Sequence, residues 1–165
     1  MSATPQPCYL LRLAGERGIA MNDITLDQAQ AILAGALAYR RQAGLMPLLV
    51  LVLDARGVPK ACAAEDGTSR GRFDVAHAKA NGALAMGVGS RSLAARARTQ
   101  GAFFSSLATA IGGGLALGPG GVLVRDAAGA LIGAVGVSGD IGDRDEDAGV
   151  AGITAAGLTP DPGND

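Results

Sequence analysis

Leu131-Ile132-Gly133-Ala134-Val135-Gly136-Val137-Ser138-Gly139-Asp140-Ile141-Gly142-Asp143-Arg144-Asp145-Glu146-Asp147-Ala148 holds a strand, a turn and a helix start in one run. Apolar residues and glycines carry the strand, Ser138-Gly139 turns the chain into a polar loop, and Asp143, Asp145, Glu146 and Asp147 open a helix. A strand that passes through glycines into a helix N-terminus leaves backbone N–H groups free, and these attract anions or orient side chains.

The neighbouring segments show what that strand pairs with. Val122-Leu123-Val124 and Leu131 to Val137 flank Asp126-Ala127-Ala128-Gly129, a hairpin turn. Leu48 to Leu53 is a continuous apolar run between Pro47 and Asp54, too short for a free-standing helix, so it reads as a central strand buried on both faces. Asp54-Ala55-Arg56-Gly57 turns it back into Val58 to Ala64, where Pro59 is tolerable near the strand start.

Helices separate the two hairpins. Thr25-Leu26-Asp27-Gln28 is a capping box, Leu26, Ala29, Ile32, Leu33, Ala36 and Leu37 recur at helical spacing, and Gly44 fits the C-terminal cap. A second helix spans Arg70 to Gly87 with Thr68 or Ser69 as its cap, and Ser90 or Ser92 caps a third. Ala94 to Ala110 continues helically with a break at Gly101, and a last helix runs from about Arg144 to Gly157. Strands that arrive as hairpins argue for an antiparallel sheet with helices against its faces, an α+β fold. One domain over 22–160 follows, with an N-terminal extension at 1–21 and a polar tail at 161–165. Within the extension, the Tyr9 to Leu13 run reads as an added edge strand, a subunit contact or disorder.

Composition narrows the function. Apolar residues are 48% of the 165, charged ones only 18%, so a homo-oligomer that covers much of its own surface is expected. A net charge of −1 with scattered Lys and Arg argues against nucleic acid as a partner, and 3% aromatics leave no stacking platform. No apolar run reaches the roughly 20 residues of a membrane span, and the start lacks a secretory pattern. Cys8 and Cys62 read as free thiols, and the cytoplasm is the expected compartment.

Chemistry converges on the second helix. At about 100° per residue, Val75, Ala76, Lys79, Ala80, Ala83 and Met86 share one arc, with Lys79 inside the apolar stripe. An ammonium there needs a carboxylate, backbone carbonyls or an anionic ligand at its tip. The nearest acids by chemistry are Asp143, Asp145 and Glu146. On one reading Lys79 ties two helices together; on the other it faces a pocket whose far wall carries Ser138, Gly139 and those acids. Asp143 as N-cap with Glu146 three residues on would explain two acids by capping, which leaves Asp140 and Asp145. His77, the sole histidine, points away from the stripe with Asp74 one turn earlier, and reads as a solvated residue or a ligand. Arg70 and Arg72 at the helix start are poor for its dipole and suit an anion, a carboxylate or plain solvent. One histidine excludes a multi-histidine metal site, and no metal is expected.

Arg72-Phe73-Asp74-Val75-Ala76-His77-Ala78-Lys79-Ala80, followed by Ile132 to Gly139 and Asp145-Glu146-Asp147-Ala148, resembles the GlcG/HbpS family, which includes the C-terminal domain of PduO-type corrinoid adenosyltransferases. The resemblance covers about Ile24 to Leu158. It implies a profilin-like antiparallel sheet with helices on its faces and a homo-oligomer, hexameric or octameric. Haem as a cofactor is implied as well, since some members bind it. By position, Asp74, Lys79, Ser138, Gly139, Asp145 and Glu146 are the candidates for a common site or structural lock. The chain departs from haem-binding members in Glu65-Asp66-Gly67-Thr68 before the helix and in Gly87 to Arg91 after it.

Two functions follow as expectations. One is an oligomeric small-molecule-binding protein for haem or a related tetrapyrrole, with Lys79 or an arginine on a propionate. The other is a lyase or isomerase for a small organic acid in a catabolic pathway, with Lys79 as base or clamp. The ligand-binding set common to both is Lys79, Ser138, Gly139, Asp145, Glu146, Arg70, Asp74 and His77.

Overall fold

The computed structural model describes residues 23–112 and 114–165. The expected extension at 1–21, with Cys8 and the Tyr9 to Leu13 run, lies outside them.

The chain enters through Ile24, whose N–H donates to Ile132 O at 3.0 Å, and Asp23, whose carboxylate accepts from Ala55 N at 3.0 Å. Helix α1 (Leu26–Ala43) begins at the expected capping box, with Gln28 N–H donating to Thr25 Oγ1 at 3.2 Å and Thr25 N–H to Gln28 Oε1 at 3.0 Å. It ends at Gly44, whose φ of 63° is the left-handed cap conformation that glycine adopts without a Cβ penalty. Strands β1 (Leu49–Asp54) and β2 (Pro59–Ala64) form the first hairpin, and every residue of β1 is buried. Helices α2 (Gly71–Met86), α3 (Ser90–Ala97) and α4 (Gly101–Ala110) follow. Strands β3 (Gly121–Arg125) and β4 (Leu131–Ser138) make the second hairpin, and α5 (Gly142–Ala155) comes after the turn.

The sheet order is β2-β1-β4-β3-β5, all antiparallel. Its last member, β5 (Thr159–Asp161), was not expected as a strand, and it ends on Asp161, the first residue of the expected polar tail. This short edge strand is held by pairing with β3 and by Arg125, whose Nε and Nη2 donate to Asp161 Oδ2 at 3.0 and 2.8 Å.

The two faces of the sheet carry separate cores. Val50, Val52, Val122, Val135 and Val137 pack under α1 and α5 with Ile32, Ala36 and Ile153. Leu49, Leu51, Leu53, Leu123 and Ala134 pack under α2 with Ala76, Ala80 and Ala83. Gly136 sets how closely α2 lies, since a Cβ there would stand 2.0 Å from the carbonyl oxygen of Ala76.

Three expected caps are replaced. Gly71 follows Arg70 with no side-chain cap, and the Thr68 hydroxyl donates instead to the Glu65 carbonyl. At α3, Ser90 is buried, donating to Gly118 O and accepting from Gly121 N at 2.7 Å each, while the Ser92 hydroxyl donates to Asn164 O at 2.8 Å. At α5 the N-cap is Ile141 and not Asp143, so the expected Asp143–Glu146 capping pair does not form. On α2, Val75 is exposed, at the rim of the stripe where it was expected to be buried.

Candidate functional site

Helix α2 and helix α5 lie on opposite faces of the sheet, and they meet past its end, where β4 stops at Ser138 and β3 begins at Gly121. Lys79, within the buried stripe of α2, reaches through that gap. Its ammonium donates to Asp145 Oδ2 at 2.8 Å and to Val137 O at 2.9 Å. Lys79 and Asp145 side chains retain only 7% and 2% of their exposure. The other Asp145 oxygen accepts from Asp140 N–H at 2.9 Å, which fixes the turn after β4. Burial pushes the Asp145 carboxyl above its ordinary value, with the Lys79 ammonium pulling it back.

Gly120 closes over this pair. A Cβ on it would lie 2.9 Å from Lys79 Nζ and 3.1 Å from Asp145 Cβ, and its φ of 114° is one that glycine tolerates and other residues rarely adopt. Lys79 is therefore a buried lysine with two of its three ammonium hydrogens placed on protein acceptors, joining two layers.

A second bridge runs beside the first. Arg91, in the first turn of α3, donates from Nε to Glu146 Oε1 at 2.7 Å and from Nη2 to Asp143 Oδ1 at 2.6 Å. The hydrogen bonds to Asp143 and then Glu146 raise the guanidinium above its usual value. Glu146 Oε2 is buried without a hydrogen-bond partner among the described residues. Burial drives that carboxyl up, and Arg91 offsets part of it; the Gly120 amide also lowers it, from outside hydrogen-bond geometry.

Ser138 is fully buried, and its hydroxyl oxygen takes a long 3.4 Å contact from Arg72 Nη1. Gly139 packs on the chain before β1, where a Cβ would stand 2.3 Å from Pro47 O. Asp140 accepts from Met46 N–H at 2.9 Å and Ile141 N–H at 2.8 Å, and these amides hold its carboxyl below the ordinary range. Of these candidates Lys79 and Asp145 are joined directly, while Glu146 pairs with Arg91, Ser138 meets Arg72 and Gly139 packs on Pro47.

The remaining candidates face outward. Arg70, Phe73, Asp74 and His77 share the outer stripe of α2, opposite the buried one. The His77 ring stacks on Phe73, with centroids 6.1 Å apart and planes 19° from parallel. Phe73 keeps 41% of its exposure, and neither His77 nor Arg70 has a hydrogen-bond or ion-pair partner among the described residues. A small groove of about 240 Å³ lies to one side, lined by Ala55, Arg56, Gly57, Asn81, Leu84 and Ala85.

Sequence reasoning passed over Arg91. A cation in the first turn of a helix opposes the dipole, and that imbalance is the signal that a carboxylate waits elsewhere. Among the described residues no group of three or more His, Cys, Asp and Glu is placed to hold a metal ion, and no helix is long and apolar enough to cross a membrane.

Comparison with known proteins agrees with this architecture. The crystal structure of a PduOC–haem complex superposes with a TM-score of 0.73 at 23% identity, covering 82% of this chain and 96% of that one. A double mutant of Streptomyces reticuli HbpS gives a TM-score of 0.70 at 24% identity over 93% and 97% of the two chains. The Klebsiella pneumoniae protein ORFY gives 0.73 at 22% identity over 81% and 90%. At these identities the likeness is one of fold. No curated protein sequence matches the chain. A family model described as haem degrading protein HbpS-like matches residues 24–154, most of the chain. The chain belongs to the HbpS-like family.

Proposed function

We propose that the protein is a cytoplasmic oligomer that binds haem or a related tetrapyrrole flat on the outer face of α2. The observation that carries this reading is the stacked Phe73–His77 pair, which offers an exposed aromatic ring beside an imidazole with no internal partner. Arg70 stands seven residues before His77, two turns along the same stripe, and is free to pair a propionate.

The residues fit an open-faced tetrapyrrole better than an enclosed one. The groove beside Asn81 is about 240 Å³, below the roughly 300–1,000 Å³ of pockets that enclose drug-sized ligands. No His, Met or Tyr lines it. Haem, were it bound flat on these near-parallel rings, would offer them its aromatic face. This chain would supply the imidazole of His77, the ring of Phe73 and the charge of Arg70, with a second subunit covering the outer side.

Lys79, through Asp145 and the Val137 carbonyl, and Arg72, through Ser138, support the same face from behind by holding α2 to the end of the sheet. The lyase or isomerase alternative needed a free Lys79 as base or clamp, and two protein acceptors occupy its ammonium.

Haemin titration tests the reading. A saturable Soret shift at micromolar protein, reduced at least about tenfold in affinity by His77→Ala with the fold intact, supports it. Absence of a saturable shift in the wild type, or an unaltered His77→Ala titration, overturns it.

A further inference from the structure

Phe73 and His77 stand one turn apart on α2, with ring planes 19° from parallel and centroids 6.1 Å apart. Rings held this way offer a flat ligand their π-faces. An imidazole binds a metal differently, through a nitrogen lone pair that lies in the plane of its own ring. To reach the iron of a haem, that plane must stand close to perpendicular to the macrocycle, with the nitrogen pointing along the macrocycle normal. A macrocycle parallel to the Phe73 ring would lie 19° from the imidazole plane. The orientation that receives the ring system therefore keeps both His77 nitrogens off the axis of the metal.

Among the described residues nothing holds His77 in the other orientation. Ligating histidines are ordinarily fixed by a carboxylate or carbonyl on the second ring nitrogen. Asp74, three residues earlier and exposed, makes no hydrogen bond or ion pair with His77, and neither does any other described residue. Turning the ring toward an iron would also give up its stack on Phe73.

Other ligand types do not take its place. His77 is the sole histidine of the chain. Among the described residues the one phenol, Tyr39, packs against the core on the opposite face of the sheet from α2. The one described thiol, Cys62, is pushed up by burial, which keeps it protonated where ligation takes the thiolate.

We infer that the outer face of α2 takes a planar tetrapyrrole by its ring face and its acid side chains, with no imidazole bond to a central metal, so that metal-free porphyrin is bound as haemin is. Phe73 and His77 receive the ring, and Arg70 pairs a propionate, a group that haemin and protoporphyrin IX share. The inference rests on the tetrapyrrole reading of this face and names the part of the ligand that the face recognises.

Parallel titrations of the full chain test it, with protoporphyrin IX followed by its fluorescence and haemin by its Soret band. The expected result is a pair of dissociation constants within about threefold of each other. His77→Ala is expected to weaken both ligands at least about tenfold and by a similar factor, with unchanged circular dichroism. His77→Phe, which returns a ring without a nitrogen, is expected to restore both. Haemin bound at least about tenfold more tightly than protoporphyrin IX by the wild type overturns the inference and leaves the tetrapyrrole reading standing; loss of that advantage in His77→Phe would then make His77 an iron ligand. Saturable binding of neither ligand overturns both.

Discussion

Replacing Lys79 with methionine keeps the length and apolar stem of the side chain and removes only the ammonium. Asp145 Oδ2 and the Val137 carbonyl then lose their donor, in a site where the carboxylate side chain is 2% exposed. Breaking a buried ion pair from one side costs about 3–5 kcal/mol, because the orphaned charge stays out of water. For a chain of 150–250 residues that corresponds to a fall in Tm of roughly 6–20 °C. The loss depends on pH. Burial already holds Asp145 above its ordinary 3.8, and removing the ammonium lets it rise further. The native variant therefore binds this proton more readily than its unfolded chain, so its stability falls as pH rises through that window. The gap to wild type is expected to be wider at about pH 7.5 than at about pH 5. Urea titration at fixed protein concentration measures it, since oligomerisation shifts apparent stability. A second substitution, Asp145→Leu, in the Lys79→Met background removes the orphaned charge and is expected to recover most of the loss. If Lys79→Met costs less than about 1 kcal/mol yet abolishes haemin binding, the lysine serves a ligand and the layer-lock argument is wrong.

Glu146 and Asp145 both titrate above their ordinary values of 4.5 and 3.8. Their contribution to stability therefore declines as pH rises above those ordinary values, by at most about 1.4 kcal/mol per pH unit for each proton. Asp140 and Asp54, held low by backbone amides despite the burial that pushes Asp54 up, act in the opposite sense and cost stability as pH falls below 3.8. Glu146→Gln should flatten the decline of the urea midpoint between about pH 5 and 7; an unchanged slope would remove Glu146 from the account. Gly136→Ala brings a Cβ to 2.0 Å from the Ala76 carbonyl oxygen and 2.7 Å from its carbon, backbone atoms that cannot turn aside as a side chain would. It is expected to cost at least about 1–3 kcal/mol in thermal or urea unfolding, and a neutral result would mean that α2 lifts from the sheet without penalty.

Much of the fold was legible because its signals are local. The α1 capping box, the apolar run of β1 and the turns at Asp54–Gly57 and Asp126–Gly129 each contain their own cause, and the structure reproduces them. The caps at α3 and α5 failed for the complementary reason, Asp143 being drawn to Arg91. Ser90 and Ser92 have the chemistry of caps, but better acceptors and donors arrive from residues 28 to 72 positions away. Strand β5 contains a proline and spans three residues, so only its partner β3 and the Arg125–Asp161 pair make it a strand. The demand of Lys79 for a carboxylate was readable from the helix wheel. Its choice of Asp145 was not, because with Ile141 as N-cap neither Asp143 nor Glu146 is used in capping, and which acid meets Lys79 depends on how α5 sits on the sheet. There Asp143 and Glu146 pair with Arg91 and Asp145 with Lys79.

The distribution of engaged and idle groups carries a functional consequence. Residues that looked most reactive in the sequence are the ones the fold engages: Lys79 and Asp145 pair with each other, and Glu146 pairs with Arg91, across the end of the sheet. Buried polar groups are normally satisfied where they lie, and in this cluster Glu146 Oε2 is the side-chain atom left buried without a hydrogen-bond partner among the described residues. Idle groups lie on the outside, in the His77–Phe73 stack with Arg70. Exposed aromatic surface of that kind is where the proposed flat ligand would lie. A rigid clasp beneath α2 would hold the imidazole and the ring at fixed spacing, as the proposed haem face requires. Loosening the clasp by Lys79→Met should therefore weaken haemin binding only to the extent that it unfolds the chain, whereas His77→Ala should weaken binding at full stability.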